Sequence, residues 1–413
     1  MGFLLCCKGH ADVAPVYPID GAGRPPKPEP QRSISTSTTP KSKAAAAAPT
    51  TAPAVAPTPS PASAPSAAPT AGPSEAENGG SRLICGGKFE FKPSAVIGMG
   101  GFSLVRRGRD VHAGGLVAVK CFSPTETGHA ADDEDWDETL RDAFVTECAM
   151  LQKLHAMQDE AGAPPVVRLL GHSRSPDGAP AADEDGGRYL VLEMGRYTLD
   201  QHLADCRDEL EDEDASKGAG LIEAFSAAEL RVLVGAMCHC LAFLHSRGLV
   251  AVDFKGANVM RFPSGWKLID CDAILEVDSE CTADDVCVTP VYCPPELAAL
   301  YAREEEGHSL RLPASSHCWC LGMVVLELVL PEPLNARRYK QLRDAESTDS
   351  DGVALGYFRW LASPEALPEL QPPAVLGEAH PLLHELLCAL LAPDPRERLC
   401  ADALLCHRYF AEN

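Results

Sequence analysis

Apolar residues recur along this chain in two rhythms, one after the other, and that order limits what it can fold into. From Phe89 to Met194 they come mainly in short runs bounded by Gly, Pro or Asp: 92–99, 103–107, 116–122, 166–173 and 189–193. Runs of that kind read as strands. One helix is expected among them, from Asp137 to about Met157, because Phe144, Cys148, Leu151 and Leu154 recur at steps of four, three and three. After Thr198 the helical rhythm takes over, with helices expected over 227–246, 316–330, 380–391 and 400–409. A small strand-rich part followed by a larger helical part is an α+β arrangement.

The residues before Phe89 cannot join either part. The first 88 hold 15 of the 35 prolines, with long runs of Ala, Ser and Thr. Too few apolar side chains are present there to offset the entropy of ordering, so 1–88 is expected to be a disordered tail. The remainder, 89–413, is ample for one large or two coupled units, divided at about 194 into a smaller and a larger lobe. Charge divides where the tail ends. The tail carries 8 Lys and Arg against 5 Asp and Glu, which leaves 28 against 54 for the rest. So acidic a body argues against nucleic acid as a partner, since phosphate backbones are held by clustered cations. Acidic runs at 132–138, 183–185 and 208–214 read as solvated insertions between elements.

Seventeen cysteines come without the apolar core of a secretory signal and without paired C-x-x-C sets. Reduced thiols buried in a cytoplasmic protein are expected. No continuous apolar stretch reaches the ~18 residues of a spanning helix. The first residues could still reach a membrane by acylation. Gly2 would become a myristoyl acceptor once Met1 is removed, and Cys6 and Cys7 lie beside it as thiols for a second chain. Peripheral attachment at the cytoplasmic face of a membrane is the expectation for this end. Arg24 to Pro30 reads as a stiff linker, and Ser33 to Thr39 as hydroxyls open to phosphorylation.

Chemistry is concentrated in three places. Ile97-Gly98-Met99-Gly100-Gly101-Phe102-Ser103-Leu104-Val105 joins two expected strands. Glycines there let the backbone lie close over phosphates, whereas a dinucleotide fingerprint would need a helix next. Lys120 then closes the apolar strand Val117-Ala118-Val119. A lysine in a buried strand is costly unless it meets an anion or carboxylate, and Glu147 on the following helix offers one. Finally Asp253, Lys255 and Asn258 are spaced D-x-K-x-x-N after a helix, and Asp270 ends an apolar strand twelve residues later.

Together these stretches resemble a eukaryotic protein kinase of the serine/threonine branch, from about Phe89 to Phe410. Val288-Thr-Pro-Val-Tyr-Cys-Pro-Pro-Glu296 resembles the segment ending in A-P-E, and Trp319-Cys-Leu-Gly322 resembles the W-S-L-G of the central helix. Asp394-Pro-Arg-Glu-Arg398 resembles the late motif whose arginine pairs with the A-P-E glutamate, here Glu296. The resemblance implies a two-lobed fold, ATP and Mg²⁺ as cofactors, and protein substrates bearing Ser or Thr. It implies that residues 97–105 cover the phosphates, and that Lys120, paired with Glu147, holds two of them. Val105, Ala118 and Met260 would sandwich the adenine, with Leu192 the gatekeeper before hinge residues Glu193 and Met194. Asp253 would take the substrate hydroxyl proton, Lys255 would offset charge on the transferring group, and Asn258 and Asp270 would ligate the metal.

Five motifs depart from the family pattern. Ser103 replaces the third glycine, Ala251-Val252 stand for His-Arg, and Cys271-Asp272 stand for Phe-Gly. His317 replaces the central-helix aspartate, and Pro294 the alanine of A-P-E. Ala251 and Cys271 are smaller than the residues usual in the family's apolar spine, so a gap or local repacking is expected there. Val252 has no charge with which to hold a phosphorylated loop, so phosphate on Ser279 or Thr282 should not be required through that position. Two readings follow: an active kinase, since every residue that touches phosphate, metal or proton is present, or a pseudokinase scaffold that has lost its supports.

Overall fold

The computed structural model describes residues 80–124, 134–157, 164–213, 224–303, 307–332, 334–345 and 350–411. Residues 1–79, with the hydroxyls of 33–39 and the acylation residues Gly2, Cys6 and Cys7, therefore lie outside the described residues.

Six antiparallel strands build the first lobe: β1 Arg82–Ile84, β2 Phe89–Met99, β3 Leu104–Asp110, β4 Leu116–Phe122, β5 Leu169–His172 and β6 Arg188–Glu193. Their order in the sheet is β1-β2-β3-β4-β6-β5. Strand β4 shows the two-residue period that positions the site. Val117, Val119 and Cys121 join Ile84, Phe89, Phe91, Tyr189 and Val191 in a small core on one face. Ala118 and Lys120 alternate with them and so face the other way. Helix α1, Glu134–Ala156, lies over that other side and buries Leu140, Phe144, Glu147, Cys148, Leu151 and Leu154 as one stripe.

The sheet begins earlier than Phe89, which corrects the tail boundary of 88. Ile84 is only 1% exposed, and β1 pairs with the start of β2 through Ile84 and Phe89. The hairpin between them turns through positive φ at Cys85, Gly86 and Gly87, where two glycines carry little strain. The 183–185 acidic run is also more than a solvated insertion. Asp183 accepts from the Cys85 amide at 2.6 Å, and Asp185 accepts from the Tyr189 hydroxyl at 2.6 Å.

Helices dominate the second lobe: α2 Leu199–Glu213, α3 Ala227–His245, α4 Pro295–Tyr301, α5 Ser316–Val329, α6 Leu334–Ala345, α7 Ser350–Leu361, α8 Ala366–Glu369, α9 Ala374–Ala379, α10 Pro381–Leu390 and α11 Ala401–Leu404. Three two-stranded ladders lie among them: β7 Leu249–Ala251 with β10 Ile274–Glu276, β8 Val259–Phe262 with β9 Gly265–Leu268, and β11 Glu280–Cys281 with β12 Leu310–Arg311. Helix α3 starts at a capping box in which Ser226 and Glu229 exchange hydrogen bonds. It is long and apolar enough to span a membrane, with mean hydropathy 1.6. Here one face of it, Leu230, Leu233, Val234, Met237, Leu241 and Leu244, is buried in the lobe's core against α5, β7 and α11, while Val232 stays exposed. The helix expected over 400–409 is instead split, with α11 ending at Leu404 and a 3-10 turn over Arg408–Phe410. His407 between them is extended and caps the turn by accepting from the Tyr409 amide.

Candidate active site

Lys120 reaches across the cleft between the lobes. Its ammonium donates to Glu147 Oε2 at 2.7 Å and to Asp270 Oδ1 at 3.0 Å. Burial opposes that charge, yet Asp270 and Glu147 together hold the ammonium well above its ordinary range. Burial pushes Glu147 up to about 7 against the pull of Lys120. The helix that supplies Glu147 is fixed at its other end, where Arg188 on β6 donates two hydrogen bonds of 2.8 Å to Asp137.

The glycine-rich turn joins β2 to β3, beside β4 that carries Lys120. Gly100 donates its amide to the Ser103 carbonyl at 2.8 Å, and Ser103 is buried, 3% exposed. None of Gly98, Gly100, Gly101 or Ser103 has positive φ, so Ser103 costs no left-handed strain. A Cβ on Gly98 or Gly100 would meet only ordinary contacts with Val105 and Ser103. The protein's own contacts therefore do not demand glycine at 98 or 100. Phe102 at the tip stacks on Trp136 of α1, centroids 6.0 Å apart and planes at 27°. Ile97, Val105, Ala118 and Met260, the residues expected to line the nucleotide, are each partly buried. Register sets Ala118 beside the buried Leu192, and Met260 packs closely under Gly195, after Met194. Glu193 is tied down, accepting at Oε1 from Lys267 at 2.5 Å and from the Arg168 amide at 2.8 Å.

Asp253 sits between two donors. Lys255 Nζ donates to its Oδ2 at 2.7 Å, and the Thr289 amide donates to its Oδ1 at 2.8 Å. The same ammonium donates to the Thr289 hydroxyl at 2.7 Å. Burial opposes the Lys255 charge, but Asp253 raises its pKa. Asn258 donates from Nδ2 to the Asp253 carbonyl at 3.1 Å, leaving Oδ1 as its cation-facing atom. One carboxylate and one amide oxygen are hard donors that suit Mg²⁺, which keeps water and phosphate oxygens as its other ligands. Among the described residues no group of three His, Cys, Asp or Glu is spaced to hold a metal. A two-residue site of this kind would therefore be completed by the nucleotide.

Beneath these residues runs a buried polar layer that no motif announced. Tyr292 donates its hydroxyl to Glu327 at 2.8 and 2.9 Å, and Arg207 donates to the Glu327 and Leu330 carbonyls. Burial first, then Asp200, pushes Glu327 up to about 8. Asp200 lies so close to the catalytic turn that a Cβ on Gly256 would come within 1.9 Å of its Oδ1. Farther out, Arg398 pairs with Glu296 at 2.9 and 3.1 Å, and Ser316 donates to the same carboxylate. The smaller side chains at the substituted supports stay inside the core, Ala251 4% and Cys271 0% exposed. His317 is fully buried, and neither of its ring nitrogens has a hydrogen-bond partner. Val252 donates its amide to the Ala273 carbonyl at 3.0 Å, so the catalytic loop's backbone finds an anchor of its own.

Residues 91–410 match the family model described as the protein kinase domain. Serine/threonine-protein kinase MPS1 of Saccharomyces cerevisiae is 23% identical over 59% of this chain. Mitogen-activated protein kinase kinase kinase A of Dictyostelium discoideum is 24% identical over 79% of it. The matched region covers only 28% of each of those two relatives. Cyclin-dependent kinase 4 of Ovis aries is 25% identical over 77% of the chain and is matched over 95% of its own length.

Proposed function

The chain belongs to the protein kinase domain family, and from that premise we propose that it is a working serine/threonine kinase rather than a scaffold. One observation carries the choice: Lys255 binds Asp253 and Thr289 at once, while Thr289 returns its amide to Asp253. Such a triangle fixes the carboxylate's direction before any substrate arrives. Asp253 then accepts the hydrogen bond of an incoming protein hydroxyl and takes its proton as the phosphoryl group of ATP moves. Lys255 stands where negative charge develops, and Lys120, kept charged by two carboxylates, anchors the phosphates. A Mg²⁺ ion held by Asp270 and Asn258 would neutralise phosphate charge. Similarity to the yeast serine/threonine-protein kinase supports Ser and Thr as acceptors.

Full-length protein with Mg·ATP and a peptide library should show turnover that Asp253→Asn, Lys120→Met and Asp270→Asn each abolish, with melting temperatures little changed. Undiminished turnover in Asp253→Asn would remove the proton role. Nucleotide binding with no turnover in the native chain would establish the scaffold instead. Attachment to the cytoplasmic face of a membrane through Gly2, Cys6 and Cys7 is proposed from sequence alone. Cell fractionation tests it, since Gly2→Ala should release the protein and Cys6→Ser/Cys7→Ser should loosen it.

A further inference from the structure

The stretch from Asp270 to Glu296 delivers Thr289 to Asp253, so whatever holds that stretch decides whether the site is assembled. Phosphate paired with an arginine is one way to order such a stretch. The residue before Asp253 is instead Val252, apolar and 1% exposed. Order comes from backbone pairing. Strand β11 runs antiparallel to β12, with Glu280 opposite Arg311 and Cys281 opposite Leu310. The pairing is extended by Leu312 donating to the Ser279 carbonyl and Asp278 donating to the Leu312 carbonyl, both at 2.9 Å. Side chains close it on both edges. Arg311 donates to the Asp278 carbonyl at 3.0 Å, the Cys281 thiol to the Leu310 carbonyl at 3.4 Å, and Ser309 to Glu280 Oε1 at 2.5 Å. Cys281 and Leu312 are buried beneath it, 3% and 0% exposed. Just beyond, the Thr282 amide and hydroxyl both donate to Asp285 Oδ2 at 2.8 Å, and the Tyr301 hydroxyl holds the Val286 carbonyl.

We propose that the β11–β12 ladder is a built-in latch that orders the substrate-binding stretch without phosphate, and that phosphate on it opens the site. The chemistry of the hydroxyls sets the sign. Phosphate on Ser309 would face Glu280, and phosphate on Thr282 would face Asp285, so either modification meets like charge where a hydrogen bond now stands. The latch rests on the kinase reading only for its effect on turnover; the order of the stretch is measured separately.

Hydrogen exchange on phosphatase-treated, full-length protein should show amides 278–282 and 310–312 protected at least tenfold over a free peptide. Ser309→Glu should lose that protection and at least tenfold in turnover, while its affinity for a fluorescent ATP analogue stays within twofold. Leu310→Cys places a thiol opposite Cys281, where antiparallel partners stand about 4.5–5.5 Å apart between Cα atoms, a distance a disulfide spans. Oxidised, it should keep native turnover. Free exchange of 278–282 in phosphatase-treated protein overturns the latch, as does Ser309→Glu with protection and turnover intact, or a locked Leu310→Cys that is inactive. Protection as described, with no turnover in any form, would keep the latch and sink the kinase reading.

Discussion

His317 shows at the scale of one residue how this chain departs from its family. Burial first, and then the perpendicular ring of His245 at 5.9 Å, pushes its pKa down to about 3. Asp402 stands 3.3 Å from His245 on the far side. An imidazole held neutral with two unpartnered nitrogens is a burden on the fold, not an anchor for the catalytic loop. In the unfolded chain it binds a proton below about 6.5, which the folded chain refuses until about 3. Its contribution to stability is therefore intact above pH 6.5 and falls away as pH drops from 6.5 towards 3, on the order of 5 kcal/mol across the full window. We expect His317→Leu to be at least as stable as the native chain at pH 7, and to lose less on going to pH 5. Urea titrations at both pH values measure this; a loss above ~2 kcal/mol at pH 7 would mean that the ring makes a bond the fold needs.

At the scale of elements, the glycine-rich turn and α1 act together through Phe102 and Trp136. Aromatic pairs of this kind contribute about 0.5–1.5 kcal/mol beyond their buried area. Because the stack ties the turn to the helix that carries Glu147, its loss should loosen the cover over the phosphates more than the chemistry below. Trp136→Ala is expected to raise KM for ATP several-fold and leave kcat within about twofold. Steady-state kinetics decides it, and a kcat loss with unchanged KM would place the stack in the chemical step instead. Neither residue is marked by a motif, and they meet only because α1 packs over the sheet. Elements with clear periodicity were legible in the sequence, β4 to the residue and α3 and α5 to within one. Helix α7 is not among the helices expected from the sequence, although Val353, Ala354, Tyr357, Phe358 and Leu361 form a buried three-to-four stripe. Helices α2 and α6 carry dense charge that hides their narrower apolar faces.

For the whole molecule the governing quantity is charge. Residues 89–413 hold 28 Lys and Arg against 54 Asp and Glu, and like charge at that density strains a compact state. Salt shortens the reach of such repulsion to ~8 Å at physiological strength. Most exposed ion pairs here, such as Arg141 with Glu138, are worth too little for their screening to matter more. The melting temperature should therefore rise between about 0.02 and 0.3 M sodium chloride. A fall would show that attractive pairs outweigh the net repulsion.

The sequence alone determined the chemistry available to this protein. Lys120, Asp253, Lys255, Asn258 and Asp270 can be read from spacing because each lies in a short local motif whose neighbours define it. Strand and helix rhythm likewise determined the order of the two lobes. Only the tertiary structure decided what those motifs rest on: the Tyr292–Glu327 layer and the pairing of 280–281 with 310–311. Each joins residues some thirty positions apart. Their partners are chosen by burial and by the demand that buried polar groups be satisfied, conditions that exist only once the chain has folded.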